Sequence, residues 1–191
     1  LEKRKIFLSD DLCNFMKVVL SRKGFDSAYG GFPSPILPDN RMISLPIPSP
    51  IDSIEYGKLK VRNITLLDLI KQLKGKIKVD GKWIKASEAK CHLDPDIYNF
   101  FIKRPRGWKP LFGQIGAAQS HLENQGIREG DVFLFFGWFK KTKFKNGSLI
   151  FDKKARDKHV IFGYFQIGKI IKVNKKTKLP KWMLYHPHTN K

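Results

Sequence analysis

The chain has 191 residues, of which 37 are lysine or arginine and 17 aspartate or glutamate, a formal net charge of +20. Hydrophobic residues make up 41%, including 15 phenylalanines, which is enough apolar mass for a folded core and excludes a disordered chain. No apolar run approaches the roughly 20 residues of a membrane-spanning helix, and the opening "LEKRKIFLSDD" lacks the apolar centre and cleavage site of a signal peptide, so no membrane association is expected.

Met16 stands directly before the first apolar run, which sets residues 1–15 apart as an extension and leaves 16–191 as a single domain. "NFMKVVL" (14–20) is a short apolar run with β-branched residues, the pattern of a buried strand. The loop "SRKGFDSAYGGFPSP" follows, and "ILPDNRMISLPIP" (36–48) predicts two short strands around the turn "PDN". Pro46, Pro48 and Pro50 restrict what comes next to an edge or extended segment. "TLLDLIKQLKG" (65–75) predicts a helix capped by Thr65, with Asp68 in capping-box position, Leu66, Leu69, Ile70 and Leu73 on one face, and Gly75 as its stop. "KIKVDGKWI" (76–84) is a hairpin turning at Asp80-Gly81.

"GQIGAAQSHLENQG" (113–126) predicts a second helix whose small residues imply close packing. From Gly130 the pattern turns to strands: "GDVFLFFGWF" (130–139), the hairpin "KFKNGSLIF" (143–151) centred on Asn146-Gly147, and "HVIFGYFQIGKIIKV" (159–173), with Gly163 and Gly168 as bend or bulge points. The architecture expected is α+β: a mixed, partly barrel-like sheet with two or more helices packed to one side.

Charge and cysteine content bound the setting. Cys13 and Cys91 have neither a bridge framework nor metal-ligand spacing, which points to a reducing cytoplasm. Between Lys140 and Lys181, 14 basic residues face only Asp152 and Asp157. A field of that sign concentrates anions, and phosphate backbones are the commonest of these, although lysine-rich loops also serve solubility alone.

Two segments carry chemistry. In "SRKGFDS", beside Gly30 and Gly31, Ser21, Arg22, Lys23, Asp26 and Ser27 crowd the end of a strand, where Arg22 and Lys23 are placed to neutralise a phosphate and Asp26 or Ser27 to position or deprotonate a bound group. The competing reading is a turn in which Arg22 pairs with Asp26. In "HLDPD", His92, Asp94 and Asp96 share one face if the segment is extended, a set able to hold a divalent metal or run acid–base chemistry, or else an ordinary turn. Gln119 and His121 lie on the second helix, Asp157 and His159 at a strand start, and His186 and His188 in "YHPH". Trp138 belongs to an alternating aromatic strand followed by lysines, the makeup of a core strand or of a base-stacking platform.

The blocks "VVLSRKGFDSAYGGFPSPILPDNRMISLPIPS", "HLDPD", "FGQIGAAQSHLENQGIREGDVFLFFGWF" and "HVIFGYFQIGKI", followed by "HPH", resemble the nucleotide modification associated domain family, third class, over Met16 to His188. The resemblance implies a role in modifying nucleotides or nucleic acids. It also implies that Ser21, Arg22, Lys23, Asp26, Ser27, His92, Asp94, Gln119, His121, Trp138, His159, His186 and His188 line one pocket. Members usually extend past "HPH", so the resemblance implies either a short form or a truncated chain that lacks a terminal strand or site residue. A weaker likeness, of "REGDVFLFF" with "VIFGYFQIGKII", is to the small PUA-like barrels that bind modified bases. Two functions follow as expectations. In the first, an enzyme uses Asp26, His92, Asp94 and His121 for catalysis and the other polar residues for substrate. In the second, a non-catalytic reader of nucleic acid stacks a base on Trp138. Neither the metal nor any other cofactor is specified by the sequence, and protein partners from a modification or defence gene cluster are the third expectation.

Overall fold

The computed structural model describes residues 15–189; the earlier extension, including Cys13, lies outside the described residues apart from Phe15. β1 (Val18–Arg22) leads through the glycine-bearing loop to β2 (Ser34–Ile36). Three short pieces follow, β3 (Ile54–Glu55), β4 (Lys60–Val61) and β5 (Ile64–Thr65), the last running into α1 (Leu66–Leu73). Thr65 Oγ1 accepts the Asp68 amide at 3.0 Å while its hydroxyl donates to Asp68 Oδ2 at 2.6 Å, so the cap expected from the sequence forms. Leu66, Leu69, Ile70 and Leu73 are the buried face of this helix.

β6 (Lys76–Val79) and β7 (Lys82–Lys85) form the expected hairpin, with Asp80 and Gly81 both at positive φ, as a tight primed turn requires. β8 (Lys90–Cys91) pairs with β3 and delivers His92. α2 (Gly116–Asn124) falls inside the predicted second helix, but none of its residues is buried, which corrects the expected close packing. Its contribution to the interior is Leu122, half-buried against the smaller of two apolar clusters.

β9 (Val132–Lys145) organises the main sheet. β1 and β2 pair with successive parts of it in parallel, while β10 (Ser148–Phe151) and β11 (Lys158–Gln166) pair with it antiparallel. The β9–β10 turn is at Asn146-Gly147, and the β11 register shifts between Ile161 and Gly163, a bulge at one of the two glycines singled out. Residues 167–173 add no strand, so the second half of the predicted long strand is absent. In place of the two strands predicted for 36–48, β2 is followed by a turn in which Leu37 N–H donates to Arg41 C=O and by two isolated bridges, Ile36 to Met42 and Pro48 to Cys91.

The fold is therefore α+β with a mixed sheet, as expected, but not a barrel. Within the described residues, each of the other four strands of the main sheet pairs with β9 alone, whereas closure requires the outer strands to pair with one another. The larger core joins α1 to Phe25, Phe32, Leu45, Tyr56 and Ile77; the smaller gathers Phe133, Phe135 and Ile167 on the inner face of the sheet. That face is set by the two-residue period of β9, whose odd-numbered residues from Phe133 to Phe139 are buried and whose even-numbered ones are half-exposed.

Candidate functional site

Asp94 is the centre of the one group of histidines and carboxylates spaced to share an ion among the described residues. Its side chain is buried and receives three kinds of partner. Lys23 Nζ lies 3.1 Å from Oδ2, the Gly113 amide donates to Oδ1 at 2.9 Å, and the imidazoles of His186 and His188 approach to 3.4 and 3.7 Å. Burial by itself would raise the Asp94 carboxyl. The adjacent His186 and His188 imidazoles and the Lys23 charge outweigh it and hold the group well below the usual carboxylate range, so Asp94 is an anion at any physiological pH.

Each partner is placed by local structure. Lys23 continues the extended chain of β1, its amide donating to Phe136 C=O at 2.8 Å, and its ammonium passes 4.5 Å from the centroid of the Phe112 ring, against the inner aromatic face. Strand alternation puts Arg22 on the opposite face, paired with Phe136 and exposed. Gly113 has to be glycine for space: a Cβ there would stand 2.5 Å from three atoms of His188. His186 and His188 come from a chain of short turns over 181–189, in which Thr189 Oγ1 donates to His186 C=O.

A second dyad adjoins the first. His92 Nδ1 lies 2.8 Å from Asp52 Oδ2, and its Nε2 is 3.2 Å from His188 Nε2. A carboxylate accepts only, so the Asp52 contact assigns the proton to Nδ1 and leaves the His92 Nε2 lone pair facing His188. The side chains of Lys23, His92 and His188 are 15%, 24% and 16% exposed, against 1% for Asp94 and 3% for His186, so the first three form the accessible rim. Asp94 also lines a small cavity of about 10 Å³ with Gly24, Ser44, Leu93, Tyr98 and Phe162, with room for a single water.

Asp96 does not join this cluster. Fully buried, it takes two hydrogen bonds from the Arg104 guanidinium and one from the Tyr185 hydroxyl, and Arg104 lies 4.2 Å over the Trp108 ring. The Tyr185 oxygen in turn accepts from Arg104 Nη1 at 2.9 Å and Trp108 Nε1 at 2.8 Å. This network fastens the segment carrying His186 and His188 to the one carrying Asp94.

Of the residues singled out from the sequence, Lys23, His92, Asp94, His186 and His188 gather here. Ser21 sits in β1 opposite Phe135. Asp26 Oδ1 accepts the Ala28 and Tyr29 amides in a local turn, and Ser27 offers its carbonyl to Lys78 Nζ. Gln119 bonds Glu123 along α2, where His121 is exposed. Trp138 and His159 face each other across β9 and β11 on the outer face, Trp138 Nε1 donating to Asp157 at 2.8 Å. Sequence reasoning passed over Asp52, Arg104, Trp108, Gly113 and Tyr185. Gly113 lay inside a quoted block, while Asp52, one acid in a proline-rich stretch, carried no local signal.

An open mixed sheet backed by helices, with a histidine–carboxylate cluster where β1, the segment after β8 and the chain's last turns meet, defines an α+β protein with an ionisable site. The family profile of nucleotide modification associated domain 3 matches residues 17–191, and the chain belongs to that family, with a role related to nucleotide modification. No curated protein and no solved structure matches it.

Proposed function

We propose that the protein processes a nucleotide or a nucleic acid at the cluster of Lys23, His92, Asp94, His186 and His188. The observation that carries this reading is the Asp52–His92 pair, a carboxylate-oriented imidazole at 2.8 Å whose second nitrogen meets His188 at the accessible rim. Such an imidazole presents its lone pair to a proton or another electrophile on the substrate, and the carboxylate strengthens it as a donor. Lys23 at the rim supports an anionic substrate group, with permanently ionised Asp94 holding its ammonium in place. The strongly positive chain brings phosphates to that rim.

The test is mass spectrometry of nucleosides after incubating the protein with 5′-mononucleotides and with single-stranded and duplex oligonucleotides, supplied with the small-molecule fraction of a cell extract. A mass-shifted nucleoside that disappears in His92→Gln and Asp52→Asn, with binding retained, is expected. Conversion unchanged in both folded variants overturns the reading.

A second reading, a non-catalytic nucleic-acid module, is favoured by the outer face of the sheet. Leu20 and Arg22 of β1, Phe136 and Trp138 of β9, and His159, Ile161 and Tyr164 of β11 share it, with Leu20, Ile161 and Tyr164 more than half exposed. Aromatic surface edged with cations suits stacked bases of a single strand. Here Tyr164→Ala and Arg22→Ala weaken oligonucleotide binding, the affinity falls steeply with salt, and no nucleoside changes mass. An affinity that is flat in salt overturns it.

A further inference from the structure

We propose that His92, Asp94 and His188 bind one divalent transition-metal ion, with Asp52 as the outer carboxylate that orients His92. The inference rests on the reading of this cluster as the working site, and in it His92 Nε2 gives its lone pair to an ion in place of a proton. One donor atom from each of the three residues lies within 4.8 Å of the others. The two Nε2 atoms, 3.2 Å apart, stand at the separation of neighbouring ligands on one ion: bonds of about 2.0–2.1 Å in tetrahedral geometry put nitrogens about 3.4 Å apart. His188 Nε2 to Asp94 Oδ2 is 3.7 Å, a second edge of the same size class.

The chemistry of the surroundings agrees. A metal-bound imidazole commonly donates its other N–H to a carboxylate, which fixes the tautomer and strengthens the donor; His92 Nδ1 and Asp52 are arranged in this way at 2.8 Å. His186 supplies an independent sign. Its side chain is 3% exposed and its Nε2 makes no hydrogen bond, yet it is aimed at Asp94 Oδ1 from 3.4 Å. A buried polar atom left so is explained where the carboxylate rotates to serve an ion and Oδ1 closes on His186. Lys23 already contacts Asp94 Oδ2, but a carboxylate oxygen has two lone pairs, and one remains for a metal. Two imidazoles and one carboxylate suit ions such as Zn²⁺, Fe²⁺ or Co²⁺ over Mg²⁺ or Ca²⁺, and three protein ligands leave positions open at the exposed rim for water or a substrate oxygen.

The experiment is titration of the tag-free chain with Co²⁺, followed by its visible bands and by proton NMR of the paramagnetically shifted imidazole N–H signals. Binding of about one ion per chain is expected, with two shifted imidazoles, one carrying an N–H slowed in exchange by Asp52. His92→Asn and His188→Asn should each lower affinity at least about 100-fold, and Asp52→Asn about 10–100-fold, while His121→Asn and His159→Asn leave it unchanged. Should a ligand variant fail to fold, the wild-type NMR spectrum decides alone, since two shifted imidazoles support the site and none overturns it. Stoichiometry or affinity unaffected by His92→Asn and His188→Asn in folded chains also overturns the proposal. A chain that binds no Co²⁺ but converts a nucleoside through His92 loses the metal and keeps the reading above. One that binds Co²⁺ at these residues while nucleosides stay unchanged keeps the metal and loses that reading.

Discussion

Replacing Tyr185 by phenylalanine removes one oxygen and tests whether the Asp96 network holds the end of the chain. That oxygen accepts from Arg104 Nη1 at 2.9 Å and Trp108 Nε1 at 2.8 Å and donates to Asp96 Oδ2. A hydrogen bond to a charged group contributes about 1.5–3 kcal/mol, and a buried donor left without a partner costs about 1–3 kcal/mol. Arg104 and Asp96 still bond each other directly, so the two charged terms are not lost in full. The half-buried Trp108 N–H loses its acceptor, and a net loss of about 2 kcal/mol follows. Urea denaturation followed by tryptophan fluorescence measures it as a lower midpoint at unchanged slope. The double variant Trp108→Phe/Tyr185→Phe should be less destabilised than the two single losses summed, by about 1 kcal/mol, because the two side chains share a bond. A loss under about 0.5 kcal/mol for Tyr185→Phe, within the range of surface substitutions, would refute the reasoning.

Three further outcomes follow from the structure. Gly30→Ala places a Cβ 2.1 Å from Phe25 Cγ at a φ of +84°, so strain and overpacking together should lower stability by about 3 kcal/mol, read as a drop in Tm; an unchanged Tm refutes the contact. Gly113→Ala drives a methyl against His188, and the imidazole signals of His188 should move in a histidine NMR spectrum while the Thr65-capped helix keeps its amide shifts. Tyr98 has its phenol pushed up to about 12 by burial. The folded chain therefore keeps this proton where the unfolded chain, near pH 10, has lost it. The stability from this group is complete below about pH 10 and disappears as pH rises toward 12. Ultraviolet titration of tyrosinate, wild type against Tyr98→Phe, should show one late step missing in the variant.

What was legible in the sequence was local. The Thr65 cap, the Asp80-Gly81 and Asn146-Gly147 turns and the apolar stripe of α1 each depend on neighbours a few residues apart, and each forms as read. The parallel partnership of β1 with β9 joins residues more than a hundred positions apart, and no pattern in either strand names the other. The same limit hid Asp52, which meets His92 across 40 positions. Arg22 and Lys23 are a different case. Read as one phosphate-binding pair, they are separated by the pleat, since consecutive residues of an extended chain face opposite ways and only Lys23 turns to Asp94. "HLDPD" read as one converging trio divides likewise, with Asp96 engaged by Arg104.

The dependence of four strands on a single one has a kinetic consequence. While the chain emerges from the ribosome, β1 and β2 have no partner in the main sheet until residues 132–145 have been made, so their edges wait while the intervening residues are synthesised. Closing so long a loop is slow, and a chaperone that shields extended segments should raise the yield of folded protein more than a lower temperature does.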